Sequence, residues 1–116
     1  MVERSLTKPL EQNSSIFMWR DRYGVFHAVD QMQTRHLYFT LCVIWNHNIE
    51  PRHQLFNHRH YTFDDFYTKE YIAKAAVAIH KELTTRTDLE HQWIYNLIKM
   101  YKIIDQLKKG LICPVI

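Results

Sequence analysis

The sequence predicts an α+β domain that is mainly helical, with an N-terminal β-hairpin packed on a three-helix core that ends in an antiparallel helix pair. Three observations carry this. Residues 16–29 read as strand, turn and strand around Trp19-Arg20-Asp21-Arg22-Tyr23-Gly24. Downstream, three segments repeat apolar residues at three- and four-residue steps, the period of a helix that buries one face. Only two glycines and three prolines occur in 116 residues, too few for a turn-dense all-β fold, a glycine-rich phosphate cradle or a disordered chain.

Taken in order, residues 1–15 form a polar arm, interrupted by Pro9 and closed by Asn13-Ser14-Ser15. Residues 16–116 are expected to form one compact domain, since a 47% hydrophobic content supplies a core without disulfides or metal. Ile16 to Trp19 is the first strand, Gly24 takes the positive φ of the turn, and Val25 to Val29 returns. Alternation places Val25, His27 and Val29 on one face and Phe26 and Ala28 on the other.

Thr34 is the expected N-cap of a first helix running to about Trp45. Leu37, Leu41 and Ile44 form one stripe and Tyr38, Cys42 and Trp45 the next, so this helix is apolar nearly all round and is expected at the centre of the fold. Asn46 to Thr62 has no period and reads as a long loop. A second helix is expected from Asp64 to Leu83, with Ile72, Ala76, Ile79 and Leu83 buried, Asp64, Asp65 and Glu70 favouring its N-terminus, and small alanines admitting a close neighbour. Thr87-Asp88-Leu89-Glu90 matches a capping box, and the third helix then runs to about Lys109 on a seam of Trp93, Leu97, Met100, Ile104 and Leu107, with Gly110 as the stop. The apolar tail Leu111 to Ile116 is expected to pack on the core, extend the hairpin, or meet a partner.

The chemistry-bearing residues concentrate in the 46–63 loop. His53, His58 and His60 offer imidazoles to a metal ion, but no cysteine, H-E-x-x-H or C-x-x-C frame accompanies them, and solvated loop histidines are the expected outcome. Arg52, His53, Phe56, His58, Arg59, His60 and Tyr61 also mix cations with rings, which suits partner binding. A nucleic-acid alternative joins Arg52 and Arg59 to Lys99, Lys102, Lys108 and Lys109 of the last helix. Against it, the net charge is only +3, and those lysines already suit a solvated face and a helix C-terminus. Asp64 and Asp65 are adjacent and do not converge on one ion. Cys42 sits in an apolar helix where a thiol is inert, and no G-x-S-x-G setting exists. The residues lean against enzymatic activity, a metal-dependent one centred on His53, His58 and His60 being the remaining alternative, and no cofactor is implied. Two cysteines without paired spacing fit a reducing cytoplasm, and no stretch is apolar enough for a membrane span. Sixteen aromatic residues are more than so small a chain readily hides, so some are expected to face a partner.

Trp19, Arg20-Asp21, Gly24, Met32 and His36-Leu37 resemble a pattern of small tailed-bacteriophage accessory proteins. In those, a tryptophan and a charged-glycine turn precede a short strand, and Met-x-x-x-His-Leu opens a helix. The similarity covers residues 16–46, and here Arg22-Tyr23 lengthens the turn. The resemblance implies a setting, the cytoplasm of an infected bacterium, and transfers no catalytic residue. The function expected there is non-catalytic binding that modulates or inhibits a host protein, such as a defence protein, through the 46–63 loop. Nucleic acid and a second copy of the chain are the other partners considered.

Overall fold

Asp21 organises the hairpin. In the computed structural model, which describes residues 16–48 and 63–114, its Oδ1 accepts from the backbone N–H of Tyr23 at 2.8 Å and of Val25 at 3.0 Å. Its own N–H donates to the Val25 carbonyl at 2.8 Å. Gly24 follows with φ 84°, a conformation that strains any residue with a Cβ. The turn joins two short antiparallel strands, β1 (Met18–Arg20) and β2 (Phe26–Ala28), in the register Met18↔Ala28, Trp19↔His27 and Arg20↔Phe26. Both are shorter than the sequence suggests. Val29 leaves the ribbon for a 3-10 turn, Val29–Gln31, and is buried there, whereas Val25 stays exposed at the turn.

Helix α1 is Thr34–Asn48, α2 is Lys69–Leu83 and α3 is His91–Lys108. Each start departs from the sequence reading for a tertiary reason. Thr34 is the first residue of α1 and not its cap, because its hydroxyl donates to Asp88 Oδ1 at 2.7 Å and accepts from Arg86 at 3.0 Å. Helix α2 begins at Lys69, not Asp64. Asp64 is spent on a preceding turn, accepting from Phe66 N at 2.9 Å and pairing with Arg20 at 3.4 Å, and the cap passes to Thr68, whose hydroxyl accepts from Tyr71 N. The capping box at Thr87 to Glu90 does not form. Helix α3 starts at His91 with Glu90 making no side-chain cap, since Asp88 is held by Thr34 and Leu89 is drawn onto the core.

The central helix is also not the expected one. It is α2 that packs against α1, α3 and the 3-10 turn, because Ala75 and Ala76, both fully buried, let two neighbours close on it. Helix α1 keeps a wet edge at Arg35, His36 and Phe39 while burying Leu37, Leu41, Ile44 and Trp45. It reaches α3 through the Tyr38 and Trp93 rings, stacked at 4.5 Å, and through Asn96, which donates to the Tyr38 hydroxyl at 2.8 Å. The seam expected on α3 is buried in full: Trp93, Leu97, Met100, Ile104 and Leu107. Gly110, at φ 74°, ends α3 in a Schellman closure, with Leu111 N donating to Gln106 O and Gly110 N to Leu107 O. Beyond it, Ile112 packs on the core and Pro114 is buried, while Leu111 and Cys113 are exposed. No helix among the described residues is long and apolar enough to cross a membrane.

Candidate functional site

The residues singled out for partner binding, Arg52, His53, Phe56, His58, Arg59, His60 and Tyr61, lie outside the described residues, as does the histidine set considered for metal. What the structure places is the two flanks of that segment. Helix α1 ends with His47 Nδ1 3.0 Å from the Val43 carbonyl, and the His47 ring meets Phe63 edge to face at 5.9 Å. Phe63 then packs on Tyr67 at 5.1 Å. The flanks are thus held together beside the hairpin. A depression of about 410 Å³ opens there, with Trp19, Tyr23, His36, Thr40 and Phe63 among its walls.

Next to it, the hairpin is pinned to α2 by rings. Arg20 lies over Phe66 at 4.7 Å and Tyr67 at 5.7 Å, and Trp19 contacts Tyr67 and Tyr71. Tyrosine hydroxyls bind the outer edge of β1: Tyr71 donates to Met18 O at 2.6 Å and accepts from Arg20 N at 2.9 Å, and Tyr67 donates to Arg20 O at 2.6 Å. On the other strand, His27 Nε2 stands 2.7 Å from Asp21 Oδ2. That hydrogen bond, with those from Val25 and Tyr23, pulls the Asp21 carboxyl down to about 2. The His27 ring also meets His36 at 5.6 Å. Among the described residues, however, no group of three His, Cys, Asp or Glu stands close enough to hold a metal ion. Burial pushes the Cys42 thiol up to about 12, which keeps it protonated and unreactive.

The lysines of the nucleic-acid alternative do not converge. At about 100° per residue, Lys99 and Lys108 lie roughly opposite each other around α3, with Lys102 and Lys109 between. Lys99 sits over the Tyr95 ring at 4.5 Å and Lys109 pairs with Asp105 at 3.0 Å.

The larger exposed apolar feature was not singled out from the sequence. Ile94, Ile98 and Tyr101 follow one stripe of α3 at i, i+4 and i+7, and Ile98 is 68% and Tyr101 64% exposed. The stripe borders a depression of about 450 Å³ whose floor includes Leu97 and His80, closed on one side by Leu89 of the 84–90 connection. Its signal was present as a second apolar stripe beside the buried seam, and only the packing of α2 reveals which of the two faces outward. Among the sixteen aromatics, some of which are expected to face a partner, Tyr23, Phe26, Phe66, Tyr95 and Tyr101 are exposed, Trp19, Trp45 and Tyr67 are buried, and Phe56 and Tyr61 lie outside the described residues. A helix that presents exposed apolar side chains along a groove walled by Leu89, Ile94, Leu97 and Ile98 can bind another protein's side chains there. No family model, curated protein or solved structure matches this chain.

Proposed function

We propose that this chain is a non-catalytic binding protein that modulates or inhibits a partner protein through the outer face of α3. The observation that carries the reading is the exposed run Ile94, Ile98 and Tyr101 along the groove. Apolar side chains on one stripe of a helix gain by leaving water, and an isoleucine and tyrosine set of this kind supplies the buried centre that protein interfaces need. Residues 49–62, with their cations and rings, are a second contact in this reading. The resemblance of residues 16–46 to small tailed-phage accessory proteins supports a bacterial host protein as the target.

The test is a photo-reactive amino acid at position 98, introduced into the full chain in host cells, followed by reconstitution with whatever purified protein it captures. The expected result is a stoichiometric complex that Ile98→Lys abolishes while melting at the wild-type temperature. Unchanged affinity of Ile98→Lys for that protein overturns the reading. Steeply salt-dependent binding to DNA or RNA without any protein complex points instead to the nucleic-acid alternative.

A further inference from the structure

Two depressions meet on the outer face of the α2–α3 pair. The larger, about 450 Å³, lies beside Leu89, Ile94 and Ile98, and the smaller, about 230 Å³, continues toward Lys81, Asp105 and Lys108. His80, Thr84 and Tyr101 line both, which makes them one groove. From Ile94 to Lys108 it follows α3 for roughly 21 Å, the length of about four helical turns.

His80 lies in its floor and is only 5% exposed. Its Nε2 is 2.9 Å from the Leu97 carbonyl oxygen. A carbonyl only accepts, so Nε2 carries the proton, and in a neutral imidazole Nδ1 is then an acceptor. Burial lowers the His80 pKa and favours that neutral form. Among the described residues Nδ1 has no partner, yet it is not one of the polar atoms sealed from solvent, so its lone pair opens on the groove. An acceptor set among Leu89, Ile94, Leu97 and Ile98 favours an incoming group that is apolar and carries one donor.

The rim adds charge. Arg86 is occupied by Glu82 at 2.9 Å and Asp105 by Lys109 at 3.0 Å. Lys81 and Lys108 have no carboxylate partner among the described residues, so the end of the groove they flank is positive. A second copy of the chain fits this poorly, because the stripe its α3 would present ends in Lys108, and Asp105 beside that stripe is already paired with Lys109.

We propose that this groove is the docking site for an amphipathic helix of the partner protein, in which a tryptophan or tyrosine donates its ring N–H or O–H to His80 Nδ1 and acidic residues at one end meet Lys81 and Lys108. A groove between two helices takes a third in this way, reading anchors at i, i+4 and i+7. The assignment rests on the protein-binding reading above and names the chemistry of its target.

The experiment titrates the full chain with a helical peptide bearing Leu, Trp and Leu at i, i+4 and i+7 and two glutamates at one end. Matched peptides carry 1-naphthylalanine for Trp, which removes the N–H, or lysine for glutamate. The expected result is amide shifts at Thr84, Ile98 and Tyr101, roughly fivefold tighter binding of the Trp than of the naphthyl peptide, and weaker binding of the lysine peptide at low salt. The His80 Nδ1 nitrogen resonance should move with the Trp peptide and not with its naphthyl counterpart, a readout that needs no variant. His80→Phe, where it folds, should erase the preference. Equal affinities, an unmoved Nδ1 resonance, no binding at millimolar peptide, or a dimer that Ile98→Lys dissolves each overturns the proposal. If Ile98→Lys still abolishes the captured complex while the Trp and naphthyl peptides bind alike, the His80 anchor falls and the protein-binding reading stands.

Discussion

Tyr71 holds the open edge of β1 with one hydroxyl, accepting from Arg20 N and donating to Met18 O. A two-stranded ribbon is marginal in water and its outer edge is a row of unpaired groups, so these bonds and the ring contacts around them keep it docked. Tyr71→Phe leaves both backbone groups to water or unpaired. It should cost about 1–2 kcal/mol, read as a lower urea midpoint with unchanged slope; an unaltered midpoint would show that the edge needs no such support. Asp21 makes a separate prediction. Its carboxyl lies at about 2 in the folded chain and near 4 when unfolded. The unfolded chain therefore takes up a proton first, so this contribution is complete above about pH 4 and is lost as pH falls toward 2. In Asp21→Asn, the stability-against-pH curve should be flatter through that window than in wild type.

At the scale of elements, Arg86 ties the connection between α2 and α3 to the start of α1. Its guanidinium donates to Glu82 at 2.9 Å, to the Thr34 hydroxyl at 3.0 Å and to the carbonyls of Val29 and Asp30 at 3.5 and 3.4 Å. Thr34 passes the link to Asp88. Arg86→Ala should destabilise by about 1–3 kcal/mol and speed hydrogen exchange at Asp88 and Leu89 more than at the turn of residues 21–24, which Arg86 does not touch. Uniform exchange across the chain would mean that the clamp has no local role. The same bonds explain why the helix starts resisted sequence reading. A Thr or Asp suits a local cap, and nothing in Thr34 or Thr87-Asp88 alone says that a side chain more than fifty positions away will claim it.

For the molecule as a whole, the α2–α3 contact carries a buried imidazole, and this sets an acid limit above that of the carboxylates. Burial lowers the His80 pKa in the fold, so the unfolded chain is protonated first. Stability is complete above about pH 6.5 and declines as pH falls through the lowered folded value. Charged groups beside it are Lys81, Asp105 and Lys108 along the groove and Arg86 at its head. His80→Gln should remove the upper limb of the pH curve and leave the Asp21 limb below pH 4 intact. A wild-type curve flat from pH 7 to 5 would refute this assignment. What the sequence by itself determined was local: a turn that demands Gly24, apolar repeats that make three helices, the buried seam Trp93 to Leu107, and Gly110 as a stop. These follow from the backbone freedom of glycine and from periodicity, which need no knowledge of neighbours. Only the tertiary structure decided which helix lies at the centre, which of two apolar stripes on α3 meets water, and which polar side chains are spent on distant partners. Those outcomes depend on how closely Ala75 and Ala76 let other helices approach, a balance of packing between elements that no single stretch of chain encodes.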